Sequence, residues 1–401
     1  MSWPTFHLAE IADLVLGKML DQKKNRGEPA PYLANVNVRW GNFDLSDLRE
    51  MRFEPHEKDR YGVRRNDIVM CEGGEPGRCA IWHDQVSGMM LQKALHRIRA
   101  RAGVDPEFLY FSLSGQGRAG QLEYLFTGAT IKHLPSEQLA KVEVRLPPLP
   151  TQRRIASILG AYDDLIEVNR RRIAVLEEMA RRLFEEWFVQ FRFPGHECAQ
   201  AWQAGSVDEL ISFDPITKLP REGLKPFIPM THLSTSTSLV DSPEARESGS
   251  GAKFKNGDTL FARITPCLEN GKTGLVRGLP EDGVGFGSTE FIVMRGRIAG
   301  PAFTYLMARH EAFRSHAQKS MSGATGRQRA RTESLRAFPF SRPPIELLER
   351  FEAQTWPMLE LVGQLGEANK RLAASRDLLL PRLISGELEV NVAERELEAV
   401  A

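Results

Sequence analysis

The chain has 401 residues, of which 42% are hydrophobic and 26% charged, and its formal net charge is +1. This length exceeds one ordinary domain, so we expect two or three. The small net charge excludes nucleic-acid binding by bulk positive charge, and any such contact must come from local clusters of Lys and Arg. The first residues lack a signal-peptide pattern and no run reaches the ~20 apolar residues of a membrane span, so we expect a cytoplasmic protein without membrane contact.

The first part of the chain is predicted to form a mixed α/β globular domain. Residues 67–70 and 142–146 have the composition of strands, and residues 71–77 have the glycine and proline content of a loop. The pair Pro147-Pro148 closes this part, because proline continues neither a helix nor a central strand. A long helix is expected directly after it.

Two segments have the spacing of coiled-coil helices. Apolar residues recur at alternating intervals of four and three in both, which predicts a single buried seam on each helix. Pro357 lies inside the second segment and is expected to kink or split that helix. A helix of roughly 40 residues is ~60 Å long. The seam positions are Ile155, Leu159, Tyr162, Ile166, Asn169, Ile173, Leu176, Ala180, Leu183 and Trp187 in the first helix, and Leu348, Phe351, Thr355, Met358, Val362, Leu365, Asn369, Leu372, Arg376, Leu379 and Leu383 in the second.

One polar residue occupies the same place in each seam, Asn169 in the first helix and Asn369 in the second. A buried Asn reduces stability but fixes register, because it is satisfied only opposite a polar partner. We therefore predict that these two residues set the register of an antiparallel helix pair. Two unrelated polar residues tolerated in the seams are the alternative.

The second half of the chain repeats the first. Gly128-Ala129-Thr130 matches Gly323-Ala324-Thr325, and the offset between matched residues grows from 195 there to 200 at the two seam Asn residues, as small insertions would cause. We therefore expect a mixed α/β fold in which two globular domains are separated by an antiparallel coiled coil, with a pseudo-two-fold internal repeat. The predicted segments are globular residues 1–147 and 196–341, helical residues 148–195 and 342–390, and a flexible tail at 391–401.

The sequence predicts no catalytic site and no metal site. Gly271-Lys272-Thr273 resembles the end of a phosphate-binding loop, but Pro266 stands where that motif needs glycine. The four Cys residues form no CxxC pair, and the nine His residues lack metal-ligand spacing. We therefore expect a chain that is not an enzyme.

Four ordered segments resemble the specificity subunits of Type I restriction-modification systems. Leu146-Pro147-Pro148-Leu149-Pro150 and the residues after it are similar to the segment that leads into the central helix of that family. Residues 255–272 and 287–291 resemble its second recognition domain, and residues 380–388 resemble its C-terminal segment. Thr151 departs from the pattern, since an acidic residue is expected there, and the first domain matches less well than the second.

The resemblance implies a function for each part. Each globular part would be a target-recognition domain that reads one half of a split sequence in double-stranded DNA. The helices would set the spacing between half-sites and dock two methyltransferase subunits and, through them, the restriction motor subunits. No cofactor is expected on this chain, whereas S-adenosylmethionine, ATP and Mg are expected on the partner subunits.

The matched Gly-Ala-Thr loops are the best candidates for DNA contact. Backbone amides near glycine and cationic side chains suit phosphates, and Arg can also read guanine. A second basic group lies earlier in each domain, and solvent exposure alone is the alternative explanation for all of these side chains. The candidates are Lys132, His133, Arg327, Arg329 and Arg331 after the loops, and Lys253, Lys255 and Arg263 with Arg64 and Arg65 as their counterparts.

Two further basic or aromatic features are weaker candidates. His96, Arg97, Arg99 and Arg101 alternate as on an exposed strand face, which solvation explains as well as DNA contact does. Trp40 could stack on a base, but a place in the core is expected for it.

Two other functions are compatible with the sequence. The chain could serve a different nuclease-methyltransferase system with a related specificity subunit. It could also be a coiled-coil scaffold whose globular ends bind protein rather than DNA. DNA binding by the assembled complex would discriminate between recognition and scaffolding.

Overall fold

The structure is a computed structural model that describes residues 3–19, 21, 25–195, 202–220, 222–247, 250–279, 283–323 and 326–398. The chain divides into two compact units. Unit 1 consists of Met1–Ile166 with Arg371–Ala401, and unit 2 consists of Glu167–Lys370. Both units draw on both halves of the sequence, because each contains part of each long helix.

The strands described in the first half of the chain are β1 (Thr5–His7), β2 (Ala12–Leu16), β3 (Glu28–Leu33), β4 (Arg49–Phe53), β5 (Ile68–Cys71), β6 (Cys79–Ile81), β7 (Met90–Leu91), β8 (Leu95–Ala100) and β9 (Glu143–Arg145). The helices there are α1 (Leu8–Ile11), α2 (Pro55–Tyr61), α3 (Pro106–Arg118), α4 (Ser136–Leu139) and α5 (Leu149–Phe184), which continues into a π-helical turn at Glu185–Val189. The two strands expected from the sequence in this half correspond to β5 and β9.

The strands described in the second half are β10 (Ile211–Phe213), β11 (Lys225–Ile228), β12 (Glu244–Arg246), β13 (Ala252–Lys255), β14 (Thr259–Ala262), β15 (Thr273–Leu275), β16 (Val284–Gly287) and β17 (Phe291–Gly296). The helices are α6 (Pro301–Arg309), α7 (Glu311–Lys319), α8 (Thr332–Arg336), α9 (Ile345–Ser385) and α10 (Val390–Glu398). The segment 391–401 was expected to be a flexible tail, and most of it instead lies in α10.

Both units contain a matching four-stranded sheet and a related smaller sheet, which confirms the internal repeat. In unit 1 a four-stranded antiparallel sheet has the order β2-β8-β5-β6, and a smaller sheet has the order β4-β3-β7. In unit 2 the corresponding orders are β10-β17-β14-β15 and β12-β11-β16-β13. Only one parallel pair is described in each smaller sheet, β3 with β7 and β11 with β16.

The central strand of each four-stranded sheet is buried on both faces. Ile68 and Met70 of β5 pack on the face that carries α3 and the long helices, whereas Val69 and Cys71 pack against the smaller sheet. Successive strand side chains point to opposite faces, so a strand between two layers must be apolar throughout. This explains why the sequence of β5 is continuously apolar rather than alternating.

The long helices pack along the predicted seam within each unit. In unit 1, Ile166 of α5 joins a core that also contains Leu372 and Leu379 of α9. In unit 2, Phe184 of α5 and Phe351 of α9 lie in one aromatic cluster. Val362, a further seam position, is fully buried. The structure therefore confirms the two-helix arrangement, and α9 is one continuous helix through Pro357, so the expected split is not found.

The two seam Asn residues contact each other. The Nδ2 of Asn169 donates a hydrogen bond to the Oδ1 of Asn369 at 2.9 Å. Phe184, later in α5, contacts Phe351, earlier in α9, so the two helices run antiparallel in unit 2 and equivalent residues meet at this point. The contact is consistent with the predicted role in register.

A matched contact also joins each long helix to the globular part of its unit. Gln152 of α5 accepts a hydrogen bond from the backbone N–H of Asp105, the residue that caps α3. Glu352 of α9 accepts hydrogen bonds from the N–H groups of Ala302 and Phe303 in the first turn of α6. Such acceptors satisfy donors that a helix start leaves free. The helices are therefore fixed to the domains by equivalent polar contacts.

Candidate nucleic-acid interface

The two Gly-Ala-Thr loops begin and end on the same backbone hydrogen bonds. In unit 1, Thr127 and His133 exchange both N–H to O=C bonds at 2.8 Å. In unit 2, Ser322 and Arg329 exchange the same pair at 3.1 and 3.0 Å. Gly128, in the first loop, has a φ of +94°, and a Cβ there would lie 2.2 Å from the carbonyl oxygen of Ile131, so glycine is required at this turn.

Each loop is anchored to its four-stranded sheet in the same way. The N–H of Leu134 donates to the carbonyl of Glu72, and the N–H of Ala330 donates to the carbonyl of Arg263. The N–H groups of Glu72 and Arg263 in turn donate to the carbonyls of Ala94 and Glu290. These bonds define a loop base of three positions, which are 72, 94 and 133 in unit 1 and 263, 290 and 329 in unit 2.

The loop base of unit 2 is cationic. Glu290 accepts two hydrogen bonds from the guanidinium of Arg329, at 2.8 Å from Nε and 2.6 Å from Nη2. The Nε of Arg263 lies 3.9 Å from the same carboxylate. The hydrogen bond from Arg329 keeps the pKa of Glu290 below its ordinary value. The carboxylate therefore stays ionised between two Arg side chains, and one positive charge remains uncompensated within this group.

The loop base of unit 1 has the opposite character. Glu72 occupies the position of Arg263, and its Oε2 lies 3.2 Å from the Nδ1 of His133. Ala94 occupies the position of Glu290 and carries no charge. The same backbone arrangement thus presents a carboxylate acceptor in unit 1 and guanidinium donors in unit 2.

The remaining predicted residues after the loops are exposed. Lys132 lies 3.7 Å from Glu123, and both side chains are more than half exposed. Arg327 and Arg331 are exposed, and no ion pair to them is found among the described residues. Ala324 and Thr325 of the second loop lie outside the described residues. The loop of unit 2 therefore offers two unpaired cations where the loop of unit 1 offers one paired Lys.

The second basic group does not join the loops. Arg64 and Arg65 precede β5, whereas Glu72 and the loop base follow it, and Lys255 and Arg263 flank β14 in the same way. A strand of four residues places its ends ~13 Å apart. Arg64, Arg65 and Lys255 are exposed, but they lie at the opposite end of the strand from the loop base, and Lys253 is exposed in β13 of the smaller sheet, opposite Phe286. Only Arg263 among the second group is brought to the loop.

The basic residues of β8 are not an exposed face. His96 and Arg97 are 0% and 5% exposed, so the expectation of a solvated strand face is wrong for them. The carbonyl of Leu134 lies 2.7 Å from the Nε2 of His96, and burial lowers the pKa of this His. Arg99 forms a two-point ion pair with the buried Asp67. These side chains support the sheet beneath the loop rather than contact a ligand.

The ion pair at the start of β5 is repeated at the start of β14 in unit 2. Arg295 donates from Nε and Nη2 to the two carboxylate oxygens of Asp258, both at 2.7 Å. Asp67 and Asp258 are each 1% exposed, and each also accepts a backbone N–H from the preceding turn. Because the oxygens of each carboxylate are hydrogen-bonded both to an Arg and to the backbone, the carboxylate fixes the turn before β5 or β14.

Trp40 lies beside the loop of unit 1 and is half-buried. Its Nε1 donates to Glu75 at 2.8 Å, and the guanidinium of Arg118 lies 4.9 Å from the centre of its ring. These side chains line a groove of about 870 Å³ together with Ile131 and Lys132 of the loop. The groove places an aromatic side chain and charged groups of both signs next to the loop.

The sequence did not single out Glu72 or Glu290. Glu290 is part of a motif that resembles the family, but nothing in the sequence pairs it with Arg329, 39 residues away. The signal that could have found both residues is positional, because each lies next to a buried strand, directly after β5 or directly before β17.

One group of potential metal ligands is present near α2. Ligand atoms of Glu54, His56 and Glu57 all lie within 4.8 Å of one another, a grouping that the sequence spacing did not indicate. The carboxylate of Glu57 already accepts hydrogen bonds from the ammonium of Lys18 and from the N–H of Glu54. The group is therefore explained by its own contacts. None of the helices in the described part of the chain has both the length and the apolar character of a membrane span.

Comparison with known proteins finds one family to which the chain is similar. The family described as Type I restriction modification DNA specificity domain matches residues 2–178. The Type I restriction enzyme HindI specificity subunit of Haemophilus influenzae is 23% identical and covers 96% of this chain and 95% of its own length. The chain is therefore similar to Type I specificity subunits over nearly its whole length, and its first part matches the family's domain.

Two further comparisons show the same similarity. The Type I restriction enzyme MjaIX specificity subunit of Methanocaldococcus jannaschii is 22% identical and covers 74% of this chain and 72% of its own length. The crystal structure of the S subunit of a Type I restriction-modification system from M. genitalium superposes with a TM-score of 0.57 at 15% identity, and the match covers 96% of both chains. At this identity the structural match shows a shared fold.

Proposed function

We propose that this chain is the DNA-sequence-specificity subunit of a Type I restriction-modification complex, in which each unit reads one half of a bipartite target in double-stranded DNA. One observation carries the proposal. The two units share sheets, strand order and loop-base hydrogen bonds, but the side chains on that base differ, with Glu72 in one unit and Arg263 in the other. Recognition of two different half-sites requires two related domains that present different side chains to the DNA.

The exposed cations of the loops suit the backbone of DNA. Arg327 and Arg331 are free to contact phosphates, which position a protein on the duplex, while groups fixed at the loop base are better placed for base edges. The net charge of +1 means that such contacts depend on the local clusters. The long helices α5 and α9 would set the spacing between the half-sites.

We assign catalysis to partner subunits and recognition to this chain. The segment that resembles a phosphate-binding loop supports this assignment, because Lys272 donates to the carbonyl of Met230 at 2.9 Å and Thr273 lies buried in β15. These residues hold the sheet of unit 2 instead of a nucleotide. The methyltransferase subunits would bind S-adenosylmethionine, and the restriction subunits would bind ATP and Mg, all in the cytoplasm.

An exposed apolar stripe on α5 supports docking of the methyltransferase subunits on the helices. Val168, Val175 and Met179 are 43%, 58% and 45% exposed, and their spacing of seven and four residues places them on one face. An apolar stripe on an otherwise charged helix marks a surface that is covered in a complex. We therefore place a methyltransferase contact on this face.

The decisive experiment maps methylated adenines in the host genome with and without this gene. We expect a split motif whose methylation disappears on deletion and returns with the intact gene. As a domain-level control, residues 200–340 are replaced with the matching residues of a relative, which should change only one half of the motif. A methylation pattern that is unaffected by deletion would contradict the proposed function, and a change in both halves would contradict independent reading by the two units.

A further inference from the structure

Arg263 differs from the other cations at the loop base of unit 2. Its side chain is 32% exposed, and its Nε is buried without a hydrogen-bond partner among the described residues. No hydrogen bond from its other guanidinium nitrogens is found in the described part of the chain either. Arg329, in contrast, uses Nε and Nη2 on Glu290. Arg263 is therefore the side chain at this base whose donors remain available.

The position of Arg263 is fixed more firmly than that of the loop cations. Its N–H donates to the carbonyl of Glu290 at 3.0 Å, and its carbonyl accepts from Ala330 at 2.8 Å, so the backbone is tied on both sides. Its side chain is then confined by the carboxylate of Glu290, which Arg329 holds in place. The side chains of Arg327 and Arg331 are exposed and have no ion pair among the described residues. Base reading needs a planar fork in a fixed orientation, whereas a phosphate contact tolerates a mobile one.

The matching position in unit 1 carries Glu72 instead. Its carboxylate accepts hydrogen bonds and cannot donate them while ionised, so it suits the amino groups of cytosine or adenine. The guanidinium of Arg263 only donates and suits paired acceptors such as N7 and O6 of guanine. Because the backbone at the two positions is the same, the difference in side chain is a difference in what can be read.

We propose that Arg263 reads a guanine through N7 and O6 in the half-site contacted by unit 2, and that Glu290 and Arg329 are positioning residues that hold it. This inference rests on the proposed function. It adds to that function a base-reading side chain, the base it takes and the two residues that orient it.

The test uses the full chain assembled with its methyltransferase partner and measures affinity for the mapped target and for random duplex. Arg263→Lys keeps the charge but loses the planar fork, so the target should bind about 5- to 150-fold more weakly, the discrimination expected of one two-point contact. Affinity for random duplex should change less than about twofold. Arg297→Lys is the matched control, because Arg297 is exposed and follows β17 at the end away from the loop base, and it should leave both affinities unchanged. Glu290→Gln should lower the ratio of target to random affinity without lowering random binding.

A second measurement identifies the base. Guanines in the target are replaced one at a time with 7-deazaguanine, which lacks the N7 acceptor. The wild-type complex should lose affinity at one guanine, and the Arg263→Lys complex should be insensitive at that same position. Equal sensitivity of both complexes at every guanine, or a half-site of unit 2 without guanine, would overturn the inference. If the wild-type complex does not distinguish target from random duplex, the proposed function itself fails, so the two failures are distinguishable.

Discussion

The two loop bases have the same backbone hydrogen bonds but carry different side chains. In unit 1 the base carries Glu72, Ala94 and His133, and in unit 2 the same hydrogen bonds carry a different trio, Arg263, Glu290 and Arg329. At the other ends of β5 and β14, the buried ion pairs of Asp67 with Arg99 and Asp258 with Arg295 are the same in both units. A duplicated domain can therefore diverge at a partly exposed loop base but not at a buried ion pair, because buried polar groups must keep their partners while exposed groups need not.

The strongest effect is expected in the buried ion pairs that the two units share. Asp67→Ala and Asp258→Ala each remove a carboxylate that is 1% exposed and pairs with an Arg, and each should destabilise its own unit by about 3 kcal/mol. Asp13→Ala is the control, since the pair of Asp13 with Arg101 is about half exposed and should contribute under about 0.5 kcal/mol. Chemical denaturation of the full chain, with hydrogen exchange to assign the loss to a unit, measures both. Strongly unequal losses would contradict the equivalence of the two pairs.

An intermediate effect concerns the helix pair that runs through both halves. Asn169→Leu removes the donor to the Oδ1 of Asn369, and we expect a loss of about 1 to 2 kcal/mol because a partly buried acceptor loses that hydrogen bond. The double variant with Asn369→Leu should be less destabilised than the sum of the single variants, since two apolar side chains then face each other. A double-mutant cycle in denaturant provides the coupling. Additive losses would show that the two amides do not act as a pair.

The weakest effect concerns the loop cations, in which the units differ. Arg327→Ala with Arg331→Ala should lower the slope of log affinity against log salt by roughly 2, because about one counterion is released for each phosphate that an Arg neutralises. Lys132→Ala in unit 1 should lower it by less than about 1, because this Lys already lies beside Glu123. Titrations of the assembled complex at several salt concentrations measure the slopes. An unchanged slope in the Arg variants would place these side chains outside the DNA contact.

The sequence predicted the internal repeat, the mixed α/β composition, the two long helices and their seam. These features follow from local patterns. The spacing of apolar residues indicates which face of a helix is buried, and the repeat indicates that two segments of the chain fold in the same way. Ile166 and Val362 are buried as the seam required. The contact between Asn169 and Asn369 was also expected from the sequence, because the two residues occupy equivalent positions in the two seams.

The candidate site was predicted only in part. The Gly-Ala-Thr loops could be located because glycine and cations mark such loops, and Lys253, Lys255, Arg64 and Arg65 stay predictions as members of a second, separate basic group. It also treated His96 and Arg97 as exposed, although both are buried. The sequence does not distinguish a basic side chain that is exposed to solvent from one that is buried against a carbonyl group or paired with an acidic residue.

Which charges act together became visible only in the folded chain. Glu290 lies 39 residues from Arg329, and the two meet only because the start of β17 and the end of the loop converge beside β14. Ion pairing falls off over a few ångströms, so its partners are set by strand order rather than by neighbourhood in the chain. The spacing of apolar residues along the chain is enough to predict the long helices and their buried faces. The electrostatics of the site depends instead on contacts between strands that are far apart in the sequence.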